Sequence, residues 1–199
     1  MSTAEVAAPS EQSHTMHVFL VRGAVAIVWA AVFAAVSDSL TTGVGVLLVI
    51  YPLIDAVASL IDAQREQGSA RQLLLANAAV SGAAAVGLGV AATGSHEDVF
   101  AVFGAWALVA GLAQFVVALR RRARLGKQWP MLLAGLGSIL IGVVFIVAAT
   151  RNDPPLEMLA IYAATGGVEF LIEAWLIARR RHQEQAVPHA GLGVRPGGV

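Results

Sequence analysis

Six stretches of this chain are apolar enough and long enough to cross a lipid bilayer, and that feature limits its folds more than any other. A helical span needs about 20 mainly apolar residues, each adding about 1.5 Å of rise. Candidate spans lie at roughly 17–36, 42–63, 72–92, 99–119, 129–150 and 157–178. Of the 199 residues, 57% are hydrophobic and 13% are charged, whereas about a quarter of a soluble domain is charged. A soluble core of this size could not use so much apolar surface, but lipid lets a helix stay apolar on every side. The sequence therefore predicts an all-α polytopic membrane domain over residues 17–181, partnered by the bilayer. A polar N-terminal tail at 1–16 and a disordered Pro/Gly-containing tail at 182–199 flank it.

Residues 1–16 carry no Lys or Arg, and Arg22 sits inside the first apolar segment. A cleaved signal would show a basic region before its apolar stretch, so the first segment reads as a retained helix. The linkers fix the orientation, because cytoplasmic loops keep Lys and Arg. Arg65 and Arg71 mark the second linker, Arg120 to Lys127 the fourth, and Arg179-Arg180-Arg181 the exit from the last span. Linkers one, three and five together hold Arg151 alone. This places both termini in the cytoplasm of a bacterial inner-membrane protein. Pro130 and Pro154/Pro155 fall at helix starts, where a missing N–H costs nothing. Pro52 lies inside the second span and is expected to kink it.

Several functional classes are disfavoured. With no cysteine, disulfides, thiol catalysis and thiolate metal sites are excluded. A net charge of zero gives no basic field for nucleic acid. His14, His17, His96, His182 and His189 lie in tails, at a helix end or in a loop, without the i, i+4 spacing of a helical metal site. Gly87-Leu88-Gly89 lacks the strand–loop–helix setting of a nucleotide site. No catalytic constellation can be placed beside a water-exposed pocket. Neither an enzyme nor a cofactor is expected.

An internal repeat organises the spans. The even spans align as Ala56-VASLID-Ala63, Gly111-LAQFVV-Ala118 and Gly167-VEFLIE-Ala174, each followed by arginine. The odd spans align as Gly23/Ala30, Gly82/Gly89 and Gly135/Gly142. Residues seven apart lie nearly two turns apart on one helix face. Small faces let backbones approach closely where lipid supplies no hydrophobic drive. The chain thus reads as three tandem helical hairpins, running in the same sense rather than as inverted repeats. The small faces also suggest assembly with copies of itself.

Three hairpins with Gly-containing odd helices, and even helices leaving through a Gly…Ala…Arg-rich exit, resemble the HdeD-like acid-resistance membrane proteins. The resemblance covers residues 17–181 and rests on small residues at intervals. The first hairpin departs from the pattern: its outer turn has no proline, and Ala56 stands where glycine is found. The resemblance implies a setting of bacterial acid stress and carries no defined biochemical activity.

Ionisable groups in hydrocarbon are costly and mark candidate sites. Counted from the outer turns, Arg22, Asp55, Asn77, Gln114, Ser138 and Glu169 all reach a similar depth in the inner half of the bilayer. The expected site is a polar cluster of Arg22, Asp55, Asn77, Gln114, Glu169 and Glu173, with Arg22 paired to Asp55, Asn77 to Gln114, and Glu169 reaching one of these. Glu169 and Glu173 share a helix face and repel when both are ionised. Asp62 reads as an interfacial charge, and the Arg120–Lys127 run as a topology signal able to meet anionic lipid. The leading expectation is a non-enzymatic, stress-associated membrane protein acting through its bundle. The alternative is a small channel or proton-linked transporter using the intramembrane carboxylates, its ion or small-molecule substrate unknown.

Overall fold

A computed structural model describes residues 9–125 and 129–186. It is all-helical over these residues: α1 (Pro9–Val36), α2 (Thr42–Ala63), α3 (Gly68–Ala91), α4 (His96–Leu125), α5 (Trp129–Ala148) and α6 (Glu157–Ala186). Each helix contains a stretch long and apolar enough to cross a membrane, and the six follow one another as three hairpins. Large apolar side chains cover the outside, among them Val86, Val90 and Ile161, each about two-thirds or more exposed. Such a surface is stable facing lipid and would not be in water. The protein is a multi-pass membrane protein.

The helix ends follow local chemistry. Thr41 caps α2 by accepting the Val44 N–H. Ser95 and Asp98 form a reciprocal capping box at the start of α4, each side chain accepting the other's backbone N–H. Helix α1 begins at Pro9, so residues 9–16, read from the sequence as tail, are helical. They are polar and contain no helix-breaking residue after Pro9, so the first span continues beyond its apolar stretch. Helix α6 likewise runs past residue 181, to Ala186 among the described residues. The rest of the tail expected to be disordered, 187–199, lies outside the described residues.

The helices close into a ring in chain order, but the intimate contacts are not those inside the hairpins. Helix α1 packs most closely on α6, α2 on α3 and α4 on α5, whereas α1–α2 and α5–α6 barely touch. The repeated small residues build these three seams. A Cβ on Gly104 would lie 2.9 Å from the Gly142 carbonyl oxygen, and one on Gly142 2.8 Å from that of Gly104. Gly111 and Gly135 face each other in the same way, as do Gly23 and Gly167. In the α2–α3 seam, Gly89 faces Val49, whose position in the repeat corresponds to Gly104. The small faces that suggested assembly between copies are therefore largely occupied within one chain.

The half of the ring nearest the short turns is solid. Trp29 and Phe33 stack with centroids 4.6 Å apart, Trp29 meets Tyr51 at 4.4 Å, Phe103 meets Trp106 at 5.2 Å and Tyr162 at 5.5 Å, and Phe100 meets Phe145 at 5.3 Å. These are favourable edge-on and offset geometries. Leu48, Leu88 and Leu159 fill the remaining space without exposure. At the turns, Glu97 accepts the Asp153 N–H at 2.7 Å and His96 Nδ1 lies 2.8 Å from Asp153 Oδ1, joining the α3–α4 and α5–α6 connections. Asp153 has φ 51°, a left-handed conformation that Asp tolerates better than most residues.

Candidate functional site: a polar cavity in the half of the bundle near the termini

Beneath the aromatic layer the ring opens around a cavity of about 380 Å³. Tyr51, Trp106 and Tyr162 form its floor, and it extends to Asp62, Trp129 and Glu173 near the end of the bundle that carries the termini. The repeat explains this place. Trp29 and Tyr51, Trp106, and Tyr162 of the three hairpins lie within about three turns of the outer connections, and Arg22 and Asp55, Gln114, and Glu169 about one to two turns further on. Ring closure then gathers the polar residues at one level.

All six residues singled out in the sequence line this cavity. Five of them divide into two groups, and Glu173 lies further toward the end of the bundle that carries the termini. On one wall, Asp55 ties three helices together. Its Oδ1 accepts from Arg22 of α1 at 3.0 Å, and its Oδ2 accepts from Asn77 at 2.9 Å and Ser81 at 2.8 Å, both of α3. Asn77 also donates to Ser59 at 2.9 Å, and the Trp106 indole N–H donates to Ser81 at 3.0 Å, bringing α4 into the network. The Arg22 guanidinium lies 3.5 Å from Asp62 Oδ2 and 4.6 Å from the centre of the Phe170 ring. Asp62 therefore acts as a second counter-charge for Arg22 as well as lying near the end of its span.

On the side formed by α4 and α6, Gln114 and Glu169 face the cavity with no hydrogen-bond or ion-pair partner among the described residues. The expected Asn77–Gln114 pair is not made: Asp55 and Ser59 take both Asn77 donors, and the Asn77 Oδ1 accepts from no described residue. Glu169 does not reach the Arg22–Asp55 pair either. Ser138 instead bonds the Tyr162 hydroxyl at 3.1 Å, closing the floor on that side. Among the described residues no group of three or more His, Cys, Asp or Glu side chains is placed to hold a metal.

Sequence reasoning missed Ser59, Ser81 and Trp106. The two serines carried a usable signal: Ser59 follows Asp55, and Ser81 follows Asn77, by one helical turn. Trp106 carried none, since a tryptophan in an apolar run reads as core.

Fold and site together define a six-helix membrane protein with a closed aromatic half and a half hollowed by a polar cavity. Residues 99–147, which span nearly all of α4 and α5, match the family described as "Short repeat of unknown function (DUF308)". The matched stretch is the seam pair α4–α5, not a hairpin, so the unit of repetition coincides with the closest helix packing. Neither a curated protein nor a solved structure matches the chain.

Proposed function

We propose that this protein is a non-enzymatic small channel or transporter that admits an ion or small polar solute into its inner half from the cytoplasm. The observation that carries the reading is the cavity itself, with Glu169 and Gln114 facing it unpartnered. Polar and ionisable side chains within a bilayer are costly, and structural cohesion alone gives no reason to keep unpartnered ones beside a void. Cohesion does account for the other wall, where Asp55 holds Arg22, Asn77 and Ser81. The two walls therefore have separate roles, Asp55 structural and Glu169 facing the solute.

Orientation follows from charge. Arg65, Arg71, Arg120 and Arg179 stand at the end of the bundle on which the cavity opens. The positive-inside rule assigns that end to the cytoplasm of a bacterial inner membrane. The exposed Trp175, with Arg179 stacked 4.6 Å from its ring centre, is an interfacial anchor of the kind found at that level. The DUF308 match supports the resemblance to HdeD-like proteins, which carry this repeat. That resemblance is the basis for placing the activity in bacterial stress, acid stress included.

The test is flux through liposomes containing the purified protein, with and without a pH gradient. Proton or cation movement above protein-free vesicles is expected, and Glu169→Gln is expected to reduce it while leaving the melting temperature unchanged. Vesicles as tight as the empty controls, with correctly folded protein, would refute the reading.

A further inference from the structure

We infer that the cavity is a binding site for a monovalent organic cation with an aromatic or bulky alkyl body; this names the solute class and rests on the solute-cavity reading above. The charged side chains on its wall are Asp55, Asp62, Glu169 and Glu173 against Arg22 alone. Arg22 is held between Asp55 at 3.0 Å and Asp62 at 3.5 Å, so its charge is already balanced. Glu169 faces the space with no partner among the described residues. An anionic solute would meet carboxylates with no uncommitted cation to receive it. A neutral solute would leave an ionised Glu169 without a counter-charge.

The size and walls exclude the smallest cations as a good fit. A space of about 380 Å³ is within the range of drug-sized ligand sites. Tyr51, Trp106 and Tyr162 floor it, and the stacked pair Phe19–Phe170, 5.9 Å between centroids, lies on the side where Arg22 covers the Phe170 ring. Aromatic faces attract a weakly hydrated organic cation and bury its apolar body. An inorganic ion would lose hydration against these rings and gain few oxygen ligands. Glu169, the carboxylate of this wall without a partner among the described residues, sits with an aromatic floor that fits a single positive charge carried on an apolar frame.

The experiment is calorimetric titration of the full chain in nanodiscs, in mildly alkaline buffer. The probes are benzyltrimethylammonium, benzenesulfonate and benzyl alcohol: one aromatic ring with positive, negative and no charge. Saturable one-site binding of the cation alone is expected. Glu169→Gln should weaken it roughly tenfold or more, the scale of a lost charge-assisted contact. Glu169→Asp, which keeps the charge, should retain most of it, and unchanged melting temperatures confirm folding of both variants. Equal binding of benzenesulfonate or benzyl alcohol, or full cation affinity in Glu169→Gln, would overturn the assignment. Absence of cation binding with liposome flux intact would overturn the cation assignment alone; absence of both would remove the solute-cavity reading as well.

Discussion

At the scale of single residues, Asp55 is the node on which the inner half of the bundle depends. It receives Arg22, Asn77 and Ser81 from two other helices, and both members of its ion pair are about one-fifth exposed. Removing its charge leaves Arg22 with Asp62 alone and strands the donors on α3. Asp55→Asn should lower stability by about 1–3 kcal/mol, the cost of leaving buried polar groups unmatched. Thermal melting in detergent reads this directly. Replacing Arg22 with Leu in the same chain should cost less than the sum of the single changes, because the two residues act as one pair. Glu169→Gln should leave the melting curve where it is, since no partner depends on that carboxylate. Counting residues from the outer turns put Arg22, Asp55, Asn77, Gln114 and Glu169 at one level, and all of them line the same cavity. It could not give their direction around the helix axis. Asn77 and Gln114 lie on neighbouring helices, yet Asn77 turns to Asp55 and Ser59, so depth alone paired them wrongly.

At the scale of the helix, stability rests on the glycine seams. Gly142 has no room for a methyl group, since a Cβ there would lie 2.6 Å from the Leu108 backbone nitrogen. Backbone cannot yield as a side chain tip can, so Gly142→Ala should part α4 from α5 and cost about 1–3 kcal/mol. Gly135→Ala should behave alike, with its Cβ 2.8 Å from the Phe115 nitrogen. Gly82 occupies the same position in the repeat, yet a Cβ there would meet nothing within 4 Å. The difference agrees with Ala56, one methyl larger than the glycine in the other two repeats, lying at the matching level of α2. Gly82→Ala should therefore be neutral, or stabilising by up to about 1 kcal/mol through helix propensity. Comparing the melting temperatures of the three variants checks the account. The sequence displayed these small residues and their spacing but not their partners. A seven-residue interval marks one face of one helix, and it cannot say whether the next helix or the previous one will cover it. The answer is the helix across the terminal-side linker in two seams, and the two ends of the chain, α1 and α6, in the third.

At the scale of the whole molecule, three repeats closed into a ring produce a barrier on one side and a vestibule on the other. The aromatic layer near the short turns leaves no continuous path through the bundle, so the ring as it stands is closed toward that side and hollow toward the termini. Passage of a solute would require the layer to part, and the loosely packed α1–α2 and α5–α6 pairs are the places where it can. Hydropathy made the spans legible because the bilayer imposes one length on all of them, and arginine placement indicated which linkers share a side. The cavity was not legible in the same way, because empty space is a property of how helices tilt and pack, and no residue announces it. A sequence free of cysteine allows the one-sided cavity to be tested by single introduced thiols. Gln114 and Ala107 lie on α4 about two turns apart, the first on the cavity wall and the second fully buried beside the aromatic layer. With a membrane-impermeant thiol reagent, Gln114→Cys should react from the side carrying Arg120 and from that side alone, and Ala107→Cys should react from neither. A Gln114→Cys protein that stays unlabelled from both sides, or is labelled from the side of the Ser95 turn, would contradict the account.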